Sequence, residues 1–204
     1  MAREIDRIQT KLNHRVRALE TLRGSVEKAI EHLGRGFLQA AANKSLHGKL
    51  RSGELTMEGY FHQLLRLVYR LLFLFAAEDR GLLHPPTADG DARRLYASGY
   101  SVTRLRGLAG SIVGSAHPDL YEGLKIVMRS LSGEEGCPTL GLPALGSLLW
   151  STDTLPDLAE ATLANEHLLA AARELAFTSR AGLLRPVDYR GIGAAELEIG
   201  RAHV

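Results

Sequence analysis

Between Leu64 and Ala77 apolar side chains cover almost the whole circumference of a helix. A helix that is apolar on all sides has to be buried on most of them, so other elements must pack around it. Thr56 is a natural N-cap, and the segment Met57 to Arg80 (MEGYFHQLLRLVYRLLFLFAAEDR) is predicted to be the central helix of a helical body. It is not a membrane span. Arg66 and Arg70 interrupt it, and Leu71 to Ala77 is a run of only seven uncharged residues, where a span needs about 20.

Composition makes the surrounding elements helical too. The chain holds 36 Leu and 25 Ala against 8 Val and 7 Ile. Strong helix formers dominate, and few β-branched residues remain to build a sheet. The expected fold class is all-α: an irregular multi-helix bundle with a long amphipathic N-terminal helix and a central buried helix. The 204 residues are room for one domain of ordinary size or two small ones. With 45% hydrophobic and 24% charged residues, the chain is neither disordered nor collagen-like. The one cysteine, Cys137, excludes an internal disulfide and a cysteine-rich zinc site. Met1 opens a charged stretch and not an apolar one, so a secretory signal is not expected and a reducing, cytoplasmic setting is.

From Arg3 to Leu33 the apolar residues Ile5, Ile8, Leu12, Leu19, Leu22, Val26, Ala29 and Leu33 alternate by three and four, with Arg15 taking one seam position. This heptad-like seam predicts a helix bent near Gly24 and stopped at Gly34 and Gly36. A second helix is expected from Phe37 to Arg51, ending at Ser52-Gly53. Beyond the central helix, Gly81 and the Pro85-Pro86 pair forbid continuation. Shorter helices are predicted near Ala92–Ala97, Val102–Val113 and Asp119–Leu131, the last with His117 as a possible cap. Ser132 to Pro143 is a loop rich in glycine and proline, and a short helix near Ala144–Trp150 follows. Thr154-Leu-Pro-Asp157 resembles a capping box and predicts a helix from there to Phe177. After Ser179 the chain reads as irregular. The expected organisation is a basic amphipathic helix over 1–36, a helical core over 37–135 and a helical connector over 136–197.

Charge is unevenly placed. Residues 1–50 carry ten basic and five acidic groups, and the remainder fifteen and eighteen. A basic helix can lie along nucleic-acid phosphates, and it can equally be the solvated face of a helix that packs by its seam. Arg15, Arg17 and Arg23 on the first helix, and Arg66 and Arg70 at i,i+4 on the central one, are the candidate phosphate contacts. The excess of Arg over Lys, 20 to 5, also fits a GC-rich coding sequence. Glu78-Asp79-Arg80 ends the central helix with two carboxylates where the helix dipole disfavours them. They need partners, such as Arg80 itself, Arg93, Arg94 or a neighbouring domain, and an interdomain contact is the expected role.

Chemistry-bearing motifs are lacking. There is no GxGxxG, no phosphate loop with GK[ST], no HExxH and no Gly-x-Ser-x-Gly. The eight histidines are scattered, and Cys137 lies in a loop with no obvious base beside it. Catalytic, cofactor-binding and metal residues are therefore all assigned as none.

Several runs nevertheless resemble one family. Leu50 to Leu83 (LRSGELTMEGYFHQLLRLVYRLLFLFAAEDRGLL), Cys137 to Trp150 (CPTLGLPALGSLLW), Leu163-Ala-Asn-Glu166 and Val187 to Leu197 (VDYRGIGAAEL) are similar, in this order, to the N-terminal helical region of type IIG-like restriction–modification adenine-specific DNA methyltransferases and related phage-defence methyltransferases. The resemblance covers about residues 15–197. It implies a parent protein that transfers a methyl group from S-adenosylmethionine to the adenine amino group in DNA, with the target base flipped out, and in some members a linked nuclease. It also implies that the catalytic Asn-Pro-Pro-Tyr motif and the cofactor fold lie downstream of the present residues. No PD…(D/E)xK nuclease pattern occurs here. Glu198 to Val204 (EIGRAHV) reads as one frame of a sequencing-library adapter and is expected to be a non-native tail. The expected function is a non-catalytic helical fragment of such a methyltransferase, with DNA and the missing methyltransferase domain as partners and no membrane. The alternative is a free-standing helical protein that dimerises through the Ile5–Leu33 seam, and a third reading is an independent DNA-binding domain.

Overall fold

The computed structural model describes residues 2–180 and 183–191, with side chains from Glu20 onward except at positions 21, 152, 180 and 191. The expected contacts at Arg15 and Arg17, the seam positions Ile5, Ile8, Leu12 and Leu19, and the tail from Glu198 to Val204 lie outside the described side chains. The fold is mostly helical. Helices α1 (Ala2–Gln39), α2 (Lys44–Ser52), α3 (Met57–Asp79), α4 (Gly90–Gly99), α5 (Val102–Ser111), α6 (Asp119–Ser132) and α7 (Asn165–Ala176) are joined by loops and short 3-10 turns.

Helix α3 is the predicted central element. The Thr56 hydroxyl accepts the Gly59 N–H at 3.0 Å, which satisfies one donor of the first turn. Leu67, Val68, Leu71, Leu74 and Phe75 are fully buried, as apolar residues around a whole helix require. Gly81 takes φ +65°. It lets Leu82 N–H reach Ala77 O at 2.8 Å and Gly81 N–H reach Glu78 O at 2.9 Å, a Schellman arrangement that closes the C-terminus.

Helix α1 does not stop at Gly34 or Gly36 but runs through both to Gln39. The two glycines serve packing instead. A Cβ on Gly36 would lie 2.5 Å from Leu163 Cδ1 and 2.6 Å from His167 Cβ, and one on Gly34 would lie 3.1 Å from Leu64 Cδ1. Glycine is the residue that allows α7 and α3 to approach α1 this closely. Phe37 is accordingly the buried end of α1, and α2 begins only at Lys44, after a turn. Gly53, at φ +78°, closes α2 where expected. Ala29, Leu33 and Phe37 are buried in the chain's own core, so this end of the seam is not open to a second copy.

Three further expectations are overturned. His117 does not cap α6 with its side chain. Asn165, the first residue of α7, does so from across the molecule: its Oδ1 accepts Leu120 N–H at 3.1 Å and its Nδ2 donates to Asp119 Oδ1 at 2.8 Å. The Thr154–Asp157 capping box does not open a helix either. A 3-10 turn spans Thr152–Thr154, and α7 starts only at Asn165. The polar groups of that box are engaged by distant residues, described below. Likewise, only Leu148–Trp150 of the short helix expected at 144–150 is helical, as a 3-10 turn.

After α7 the chain forms a hairpin where irregular structure was expected. Strands β1 (Phe177–Arg180) and β2 (Leu183–Pro186) pair antiparallel, with Phe177 opposite Pro186 and Arg180 opposite Leu183. Val187 N–H to Ala176 O, at 2.9 Å, ties its base to α7. One apolar core extends from Ala29 to Tyr189, crossing the divisions expected at 36/37 and 135/136. Among the described residues no helix is long and apolar enough to cross a membrane.

Candidate functional site

The polar chemistry gathers along α3 and on the segment from Gly133 to Ala164 that lies across it. This segment has little regular structure, so its backbone groups need partners from elsewhere. Buried and half-buried side chains supply most of them. Asn43 donates to Phe37 O and Thr162 O, both at 2.9 Å, and accepts Thr162 N–H at 2.8 Å. Gln63 Oε1 accepts Asp157 N–H at 3.0 Å and its Nε2 donates to Asp157 Oδ2 at 2.7 Å. Lys49 Nζ meets Asp157 Oδ1 at 2.8 Å. Tyr121 donates to Leu158 O at 2.9 Å, and Lys125 to Ala161 O at 3.1 Å. Each is a pin between a helix and the crossing segment.

Arg70 is the largest of these pins. Only 4% of it is exposed. Its Nε donates to Leu149 O at 2.8 Å, and its Nη2 to Ser151 O at 2.8 Å and Thr154 Oγ1 at 2.9 Å. The guanidinium carbon lies 5.5 Å from the Trp150 ring centroid. Burial lowers its pKa to about 10. Arg70, one of the expected DNA-phosphate contacts, thus has an internal role: its Nε and Nη2 hold the crossing segment. This also explains the failed capping box: Thr154 serves Arg70, and Asp157 serves Lys49 and Gln63. Arg66 reaches the same segment, with Nη1 at 3.3 Å from Thr154 O. Arg23 projects into solvent and pairs with Glu27 at 3.1 Å, an exposed i,i+4 pair of small energetic weight.

The carboxylates at the end of α3 find partners inside the chain. Glu78 Oε1 accepts the Tyr96 hydroxyl at 2.5 Å and Val102 N–H at 2.8 Å, and Oε2 accepts Thr103 N–H at 2.8 Å. It thus sits on the N-terminus of α5, where the helix dipole favours a negative charge, and this offsets its poor position on α3. Asp79 forms a two-pronged pair with Arg106, both contacts at 3.2 Å. The Arg106 guanidinium also lies 4.9 Å from the Phe75 ring centroid. Arg80 Nη2 donates to Arg190 O at 3.3 Å, and Arg190 Nε to Asp79 O at 3.1 Å. Neither Arg93 nor Arg94 takes part: Arg93 donates to Pro85 O at 2.7 Å, and Arg94 pairs with Asp91. Tyr189, stacked on Phe75 at 5.4 Å, completes this corner and donates to Leu175 O at 2.7 Å.

Sequence reasoning singled out Arg70 and the Glu78-Asp79-Arg80 triplet, and all four lie at structural joints. It missed Asn43, Arg106, Lys125 and Asn165. The available signal was a polar residue inside an otherwise apolar helical face, as at Lys125. Among the described residues no group of three or more His, Cys, Asp or Glu is placed to hold a metal ion. Comparison with protein-family models, with curated proteins and with solved structures found no match to this chain.

Proposed function

We propose that this chain is a non-catalytic helical scaffold belonging to an adenine-specific DNA methyltransferase of the restriction–modification type. In this reading the parent protein binds S-adenosylmethionine and DNA through residues beyond those present here. The scaffold holds the start of that catalytic part in a fixed relation to the helical body. Its exposed arginines add, at most, sequence-independent phosphate contacts.

One observation carries the reading: the separate runs that resemble the family meet in the fold. Arg70, from the first run, holds Leu149 O of the second and packs on Trp150. Phe75, also from the first, stacks on Tyr189 of the last. Runs that fit one another in this way make a scaffold, and the groups they bring together are pins and pairs in place of an acid, a base or a nucleophile.

The test is a methyl-transfer assay on the purified chain with labelled S-adenosylmethionine and adenine-containing duplex DNA. The reading expects no incorporation above a protein-free control. Incorporation into adenine by residues 1–204 alone would overturn the scaffold role.

A further inference from the structure

A cavity of about 280 Å³ opens between α6 and the crossing segment. Buried side chains of Arg70, Lys125, Met128 and Trp150 form its floor, and the exposed Arg129, Asp153 and Glu160 stand at its rim. Lys125 is balanced by Glu122, 2.9 Å away. Arg70 has no ion-pair partner among the described residues. Buried charges are normally paired, because desolvation without a counter-charge is costly. The carbonyls and hydroxyl on Arg70 satisfy Nε and Nη2, but Nη1 has only the Met128 sulfur at 3.6 Å, a weak acceptor. Arg129, on the same wall, has no ion-pair partner among the described residues.

We propose that this cavity binds a small organic anion, a phosphate monoester or carboxylate with a flat or apolar body. The anionic head takes Arg129 and Arg70 Nη1, and the body lies against Pro156 and Ala159 of the lining. The volume lies just below the usual range for metabolite sites, so the ligand is smaller than a dinucleotide. The carboxylates of Asp153 and Glu160 at the rim repel a second negative group and favour a hydroxyl or amine at the outer end.

Trp150 is the chain's only tryptophan, so its fluorescence reports on the cavity directly. The full chain is titrated with phenyl phosphate, with benzoate and with neutral benzyl alcohol. At least one anion is expected to give a saturable change at millimolar concentration or below, and benzyl alcohol none. Which anion responds identifies the head group as phosphate or carboxylate. Arg129→Glu, an exposed position, is expected to weaken that response by roughly tenfold or more with an unchanged melting temperature. Arg104→Glu, exposed on α5, is expected to leave it as it was. The proposal is overturned if neither anion saturates, if benzyl alcohol gives the same response, or if the two variants behave alike.

Discussion

The Phe75 ring lies against Tyr189 with centroids 5.4 Å apart and planes 12° from parallel. Phe75 belongs to the central helix, and Tyr189 lies at the end of the described chain. This stack, with Arg190 donating to Asp79 O, fixes the segment after the hairpin on the C-terminal half of α3. Truncating Tyr189 to Ala empties a fully buried site and is expected to cost about 3–5 kcal/mol. Tyr189→Phe loses only the bond to Leu175 O and should cost about 1 kcal/mol. Urea unfolding followed by tryptophan fluorescence measures both. Equal, small losses would show that the stack does not hold this segment.

Two glycines of α1 should respond to alanine in opposite directions. Gly24 has no atom within 4 Å of the added Cβ, so Gly24→Ala gains helix propensity, about 0.5–1 kcal/mol. Gly36→Ala places its methyl group against Leu163 and the Cβ of His167, and the overpacking should cost about 1–3 kcal/mol. Thermal melts of the two variants give the sign directly. Stabilisation by Gly36→Ala would refute the close approach of α7.

Glu78 should act as the cap of α5. Glu78→Ala removes the acceptor of Val102 N–H, Thr103 N–H and the Tyr96 hydroxyl together. A loss of about 2 kcal/mol is expected. Faster amide exchange should appear at Val102 and Thr103, with α3 unaffected. Unchanged exchange at those two amides would mean that Glu78 does not cap α5.

Acid should weaken the fold through Asp157. Burial opposes its ionisation, but the hydrogen bonds from Lys49 and Gln63 and the Lys49 charge outweigh burial, so its carboxyl is held below the usual carboxylate range. A depressed folded pKa contributes stability that is fully present above the unfolded value, about 3.9. That stability is lost as pH falls through the folded value. Melting temperature should therefore fall below about pH 4, and Asp157→Asn should make that decline shallower. An identical acid profile for the variant would remove Asp157 as its source.

What was legible in the sequence was whatever local chemistry decides. The burial of α3 follows from apolar residues around its circumference, and its ends from Thr56 and Gly81. Positions decided by distant partners read wrongly. Gly36 looks like a helix stop until Leu163 and His167 are brought against it. Thr154 and Asp157 look like a capping box until Arg70, Lys49 and Gln63 engage them from more than 80 residues away. Asp79 needed a partner, but only the fold selects Arg106 over the nearer arginines. The hairpin at 177–186 was obscured because Leu183 to Pro186 is exposed throughout and so has no alternating apolar pattern.

The proposed scaffold role in a DNA methyltransferase is tested most directly by the genomic DNA that flanks this reading frame. The expected result is an Asn-Pro-Pro-Tyr motif encoded in frame with these helices. A native stop codon directly after Val204, with no such motif in frame, would contradict it.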